Sequence, residues 1–97
     1  MKLYTVYILK CNDNTFYTGI TNNLERRLAE HKTGENPNAY TYKRRPLKLV
    51  YFTEFTDVEF AIEAEKQIKK WSQAKKKELI EGNFDLLKIL AKKKFKN

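Results

Sequence analysis

Apolar and polar positions along the chain fall into blocks of two kinds. Residues 3–10 (LYTVYILK) and 15–20 (TFYTGI) are short and rich in Tyr, Val, Ile, Thr and Phe, the residues that suit a pleated strand. The polar NDN between them is turn chemistry. The following TNNLERRLAEHKTG spaces Leu24 and Leu28 one helical turn apart, with Asn22 and Glu25 placed for a capping box and Gly34 for a stop. Residues 35–46 read as a loop with Pro37 and Pro46 near its ends, and LKLVYFTEF as a third strand. Thr56 and Glu59 suggest a second capping box, opening a long helix from Asp57 to Trp71. QAKKKELIEG predicts a further helix ended by Gly82, and NFDLLKILAKKKFKN a final amphipathic turn or helix that runs into lysines. The order is β-β-α-β-α-α with a C-terminal helix. It predicts an α+β, sandwich-like fold in which a small three-stranded antiparallel sheet is flanked by helices. At 97 residues this is one domain, read as a body over 1–83 and a basic amphipathic tail over 84–97.

Two tyrosines in the hairpin, Tyr7 and Tyr17, raise a question of register. Side chains alternate between the faces of a sheet. The two phenols share a face if the turn holds an odd number of residues and part company if it holds an even number. The sequence leaves both outcomes open. Gly19, two residues after Tyr17, marks a bulge or a close backbone approach. On the next helix Arg27 and His31 stand at i and i+4, on one side.

The long helix carries an anomaly. At about 100° per residue, Val58, Ala61, Ala64, Ile68 and Trp71 form one apolar stripe, and Glu65 falls inside it, roughly 40° from Ala61. A carboxylate among apolar residues costs free energy unless something pairs with it. A lysine or arginine would serve. So would a divalent cation, which one carboxylate can hold together with waters and a phosphate.

Charge narrows the partner. Twenty Lys and Arg against twelve Asp and Glu give a net charge of +8, which attracts polyanions, nucleic acid foremost. Tyr40, Tyr42, Lys43, Arg44 and Arg45 interleave rings that stack on bases with cations that track phosphates. KQIKKWSQAKKK, which includes Lys69 and Lys70, and LLKILAKKKFKN hold no acid between them; both suit a backbone-binding face. One cysteine, Cys11, and one histidine exclude an internal disulfide and a zinc site. No apolar run approaches a membrane span and the first residues lack a signal-peptide pattern, so a cytoplasmic location is expected.

Taken in order, TVYIL, FYTGIT, NNLERRLAEH, YTYKRRPLKLVY and EAEKQIK resemble the GIY-YIG nuclease superfamily, most of all its small stand-alone bacterial URI/UPF0213-type members. The resemblance covers residue 3 to about residue 83. It aligns Tyr7 with the first signature's tyrosine, Tyr17 and Gly19 with the second's tyrosine and glycine, Arg27 with the catalytic arginine and Glu65 with the metal-binding glutamate. His31 falls on a position often filled by Tyr or His, and Asn83 near a late asparagine. Thr5 and Thr18 replace a glycine and an isoleucine of the signatures, and Ile20 stands where some members carry a lysine. The resemblance implies a phosphodiesterase using a single Mg²⁺ or Mn²⁺, with DNA favoured over RNA as partner and no small-molecule cofactor. A nucleic-acid-binding module with little catalysis, and a basic protein-interaction domain, remain the rival functions.

Overall fold

β1 (Tyr4–Lys10) is the middle strand of a three-stranded antiparallel sheet, with β2 (Phe16–Thr21) on one side and β3 (Lys48–Phe55) on the other. This computed structural model describes residues 2–34, 39–83 and 85. Helix α1 (Leu24–Thr33) follows the hairpin, a single 3₁₀ turn at Tyr42–Arg44 precedes β3, and α2 (Val58–Lys69) and α3 (Gln73–Ile80) come after it. The expected β-β-α-β-α-α order is the observed one. The expected C-terminal helix lies outside the described residues.

Alternation along β1 divides the molecule. Val6 and Ile8 face α2, where they form the core with Phe55, Ala61, Ala64, Ile68 and Leu79. Removing each large apolar side chain of that cluster from water contributes roughly 1.5–3 kcal/mol. Ala61 and Ala64 are small enough to bring the α2 backbone close to the sheet. Thr5, Tyr7 and Leu9 take the opposite face and are buried too, because the middle strand is covered from both sides. Val58, expected in the buried stripe, is 38% exposed; as the first residue of α2 it stands outside the contact with the sheet, which is made by Ala61, Ala64 and Ile68.

Two helix starts lie one residue later than the capping pattern suggests. Asn23, not Asn22, caps α1 by accepting from the Arg26 amide at 3.0 Å. Asp57, not Thr56, caps α2, its Oδ1 accepting from the amides of Glu59 at 2.9 Å and Phe60 at 3.4 Å. A carboxylate there also answers the positive end of the helix dipole, which a threonine hydroxyl does not. Gly34 ends α1 in the left-handed region, φ 69°, a conformation glycine adopts without steric cost.

Candidate active site

The hairpin sets the geometry. Tyr7 pairs with Gly19 and Leu9 with Tyr17, across a five-residue connection from Cys11 to Thr15. An odd connection puts both phenols on one face, as diagonal neighbours rather than opposite each other. Their ring centroids are 6.3 Å apart. Gly19 explains how Tyr7 fits: a Cβ at that position would stand 2.5 Å from Tyr7 Cζ and Oη. The Tyr7 ring lies across the space that any other residue would fill.

Helix α1 brings its cations to the same face. The Tyr7 hydroxyl and His31 Nε2 are 2.9 Å apart, and His31 Nδ1 is 3.0 Å from the hydroxyl of Thr41. Tyr17 meets the His31 ring edge-on at 5.4 Å. The Arg27 guanidinium lies against the Tyr7 hydroxyl and bonds Glu30 Oε1 at 3.3 Å. Burial pushes the Tyr7 phenol up to about 12, against the opposing pull of Arg27. Burial and the Arg27 charge both hold His31 below its ordinary value. At neutral pH the cluster is therefore a neutral phenol on a neutral imidazole, beside a permanent cation. Tyr17, Arg27, His31 and Tyr40 are among the residues lining an open cavity of about 530 Å³, large enough for a phosphodiester and its flanking sugars.

Residues 39–42 cover this cavity from one side. Tyr40 stacks on Tyr17 with centroids 6.0 Å apart, and the Arg44 guanidinium sits 3.9 Å from the centroid of the Tyr40 ring. Arg44 also donates to Asp13 at 3.1 Å and to the Tyr40 carbonyl at 2.8 Å. Arg45 donates to the Tyr42 carbonyl at 2.9 Å and lies over the Tyr42 ring. Both arginines thus hold the loop's own shape, and Arg44 ties it to the hairpin turn. Lys43 and Lys70 are exposed, with side chains directed to solvent.

Glu65 stands at the border of the buried side of α2, its side chain 13% exposed, and Lys69 pairs with it at 2.7 Å. Of the two partners its place in the stripe demanded, a lysine is the one present. Lys69 also feels the Tyr17 phenol, and both groups raise its pKa. The Lys69 ammonium is therefore within electrostatic reach of Tyr17, but neither Glu65 nor Lys69 is among the residues lining the cavity at Tyr17, Arg27 and His31. Among the described residues no three His, Cys, Asp or Glu side chains cluster. That donor set does not fit a metal needing a full protein cage. It does fit a hard cation that binds one carboxylate and completes its shell with waters and a substrate phosphate. Lys69, half-exposed on a flexible stem, is the group such an ion would displace. Asn83 is elsewhere, bonded to Glu78 at 2.6 Å.

Two participants escaped the sequence reading. Glu30, three residues from Arg27, was visible as a helical ion-pair partner. Thr41 carried no such signal, since its contact with His31 depends on the path of the loop.

A family model for the GIY-YIG catalytic domain matches residues 3–78. A UPF0213 protein of Syntrophus aciditrophicus is 47% identical over 78 residues, spanning 80% of this chain and 90% of its own. One from Clostridium perfringens is 48% identical over 75 residues, spanning 77% and 80%. Among solved structures, the solution structure of a UPF0213 protein from Bacillus halodurans superposes with a TM-score of 0.55 at 37% identity, covering 81% of this chain and 83% of that one. That of a protein from E. faecalis gives 0.61 at 32% identity, covering 84% and 86%. The chain belongs to the GIY-YIG catalytic-domain family, and to the UPF0213 proteins within it.

Proposed function

We propose that this domain is a metal-dependent endonuclease that hydrolyses phosphodiester bonds in DNA, branched or single-stranded, in preference to RNA. The observation that carries the reading is the convergence of Tyr17, Arg27 and His31 on one open cavity, with the buried Tyr7 hydroxyl bonded to His31 behind them, on a strongly basic chain.

Each residue has a task its chemistry suits. Arg27 donates to a non-bridging phosphate oxygen and stabilises the charge that builds up there. Tyr7 is too weak an acid to serve as a phenolate at neutral pH, so it acts as a relay. Substrate binding must open the fully buried hydroxyl to the attacking water; its oxygen then takes a proton from that water while its own proton passes to His31 Nε2, 2.9 Å away. The phenol stays neutral throughout and the imidazole ends protonated. Tyr17 walls the cavity and can donate to the phosphate. Glu65 would hold Mg²⁺ or Mn²⁺, which supplies positive charge at the phosphate and at the departing 3′ oxygen when bound. Tyr40, Tyr42, Lys43, Arg44, Arg45, Lys69 and Lys70 form the surface on which the rest of the strand lies, through ring stacking and charge.

A second reading, a nucleic-acid-binding module that cleaves little, is favoured by the closed Glu65–Lys69 pair. Cleavage of branched, flapped and single-stranded DNA and of RNA, with Mg²⁺ or Mn²⁺ and with chelator, separates the two. Glu65→Gln and Arg27→Ala should each lower the rate by about 10²-fold or more. A rate that neither change alters does not belong to this site, and binding without cleavage supports the second reading.

A further inference from the structure

We infer that Thr41 is a positioning residue for this reaction: its hydroxyl holds the His31 ring in the tautomer that leaves Nε2 free to accept the Tyr7 proton. The inference rests on the relay proposed above, and it follows from counting donors and acceptors.

The Tyr7 side chain is fully buried, so its hydroxyl proton needs an acceptor. Arg27, the group beside it, has donors only. Among the described residues the acceptor bonded to it is His31 Nε2, at 2.9 Å. A neutral imidazole carries one proton. If Nε2 accepts, that proton sits on Nδ1 and must itself be received. Thr41 Oγ1 is 3.0 Å from Nδ1, on a residue that is 2% exposed. The opposite assignment would aim two donors, Arg27 and Nε2–H, at the Tyr7 oxygen and leave the phenol proton buried without a partner. The chain of hydrogen bonds is therefore directed from Tyr7 to His31 to Thr41. Free histidine prefers the other tautomer, carrying its proton on Nε2, so the protein must supply the bias, and Thr41 is placed to do so. Among the described residues the other charged or ionisable groups near the ring, Arg27, Glu30 and Lys32 on the same helix, Tyr17 on β2 and Arg45 after the 3₁₀ turn, offer Nδ1 no bond.

The chain has one histidine, which makes the test direct. In tag-free protein the ring ¹⁵N signals of His31 report which nitrogen is protonated. Wild type should show Nδ1–H with a bare Nε2. Thr41→Val keeps the shape and removes the acceptor. It should shift the tautomer ratio toward Nε2–H by about tenfold, the weight of one ordinary hydrogen bond, and lower kcat by up to about tenfold, as the competent tautomer is depleted, with KM unchanged. Thr41→Ser should restore both. A wild-type ring protonated on Nε2, or a Thr41→Val ring identical to wild type, overturns the inference whatever the cleavage assay gives. A tautomer that shifts while kcat stands still removes the catalytic role. A wild type that cleaves nothing removes the proposed function instead, and the ring spectrum by itself then decides what Thr41 does.

Discussion

Replacing Gly19 by alanine tests how the phenol is seated. The added methyl would lie 2.5 Å from Cζ and Oη of Tyr7, whereas carbon contacts settle at about 3.5–4.0 Å. The ring must therefore retreat by roughly 1 Å or more. It has no room to do so, being fully buried in the middle strand. Overpacking of this kind costs about 1–3 kcal/mol. The backbone at Gly19 is ordinary strand, so alanine also returns roughly 0.5–1 kcal/mol of chain entropy. The net loss is about 1–2 kcal/mol, and each kcal/mol lowers Tm by about 4–8 °C in a domain of this size. The same displacement breaks the 2.9 Å contact with His31, so cleavage should fall with stability. Thermal unfolding of Gly19→Ala, Tyr7→Ala and the double variant measures the coupling. The penalty of the methyl should vanish once the ring is gone. Strictly additive effects, or a Gly19→Ala protein as stable as wild type, would refute the reasoning.

The other expectations are briefer. Thr18 Oγ1 is buried and has no hydrogen-bond partner among the described residues, so Thr18→Val should stabilise the protein by about 1 kcal/mol, seen as a raised Tm. The relay needs a neutral imidazole, and the pKa of His31 is held below its ordinary 6.5 by burial and by Arg27. Cleavage should accordingly persist into mild acid and fall only below pH 6.5 as His31 charges, with Tyr7, Tyr17, Arg27, Glu30 and Thr41 as its neighbours; a rate that climbs steadily toward pH 12, following phenol ionisation, would show that Tyr7 itself is the base. Lys69→Gln removes the ammonium from Glu65 and should lower the Mg²⁺ concentration for half-maximal cleavage; a higher requirement would mean that Lys69 assists the site. Affinity for single-stranded DNA should fall linearly on a double-logarithmic plot against salt, with a slope of about −0.7 per phosphate neutralised.

Much of this architecture was legible because local rules and tertiary packing agree. The strands, the three helices and the stop at Gly34 follow from composition, periodicity and turn chemistry. The two starting caps fall one residue beyond the expected ones because Asn22 and Thr56 match the three-residue spacing to an acid while Asn23 and Asp57 have Arg26 and Phe60 there, and only the turn decides which side chain faces the amides. The shared face of Tyr7 and Tyr17 was left open by the sequence, since it depends on whether the turn holds an odd number of residues. Glu65 stood out from the stripe, and its lysine partner lay four residues on in plain view. Thr41 was invisible, because a hydroxyl that meets a histidine ten residues away across a loop leaves no periodic trace. Arg44 and Arg45 read simply as cations; the carbonyls they bind inside their own loop are products of the folded path.

The two-sidedness of β1 has a consequence for what the gene can tolerate. Val6 and Ile8 pack in the core while Tyr7 between them meets His31 on the other face. Losing or gaining a single codon within this stretch would hand each set to the wrong side at once, pressing a phenol into the oily seam and stranding aliphatics beside His31. Many substitutions here cost one face or the other; a frame-preserving indel disturbs both, so this strand should tolerate a change of letter better than a change of length.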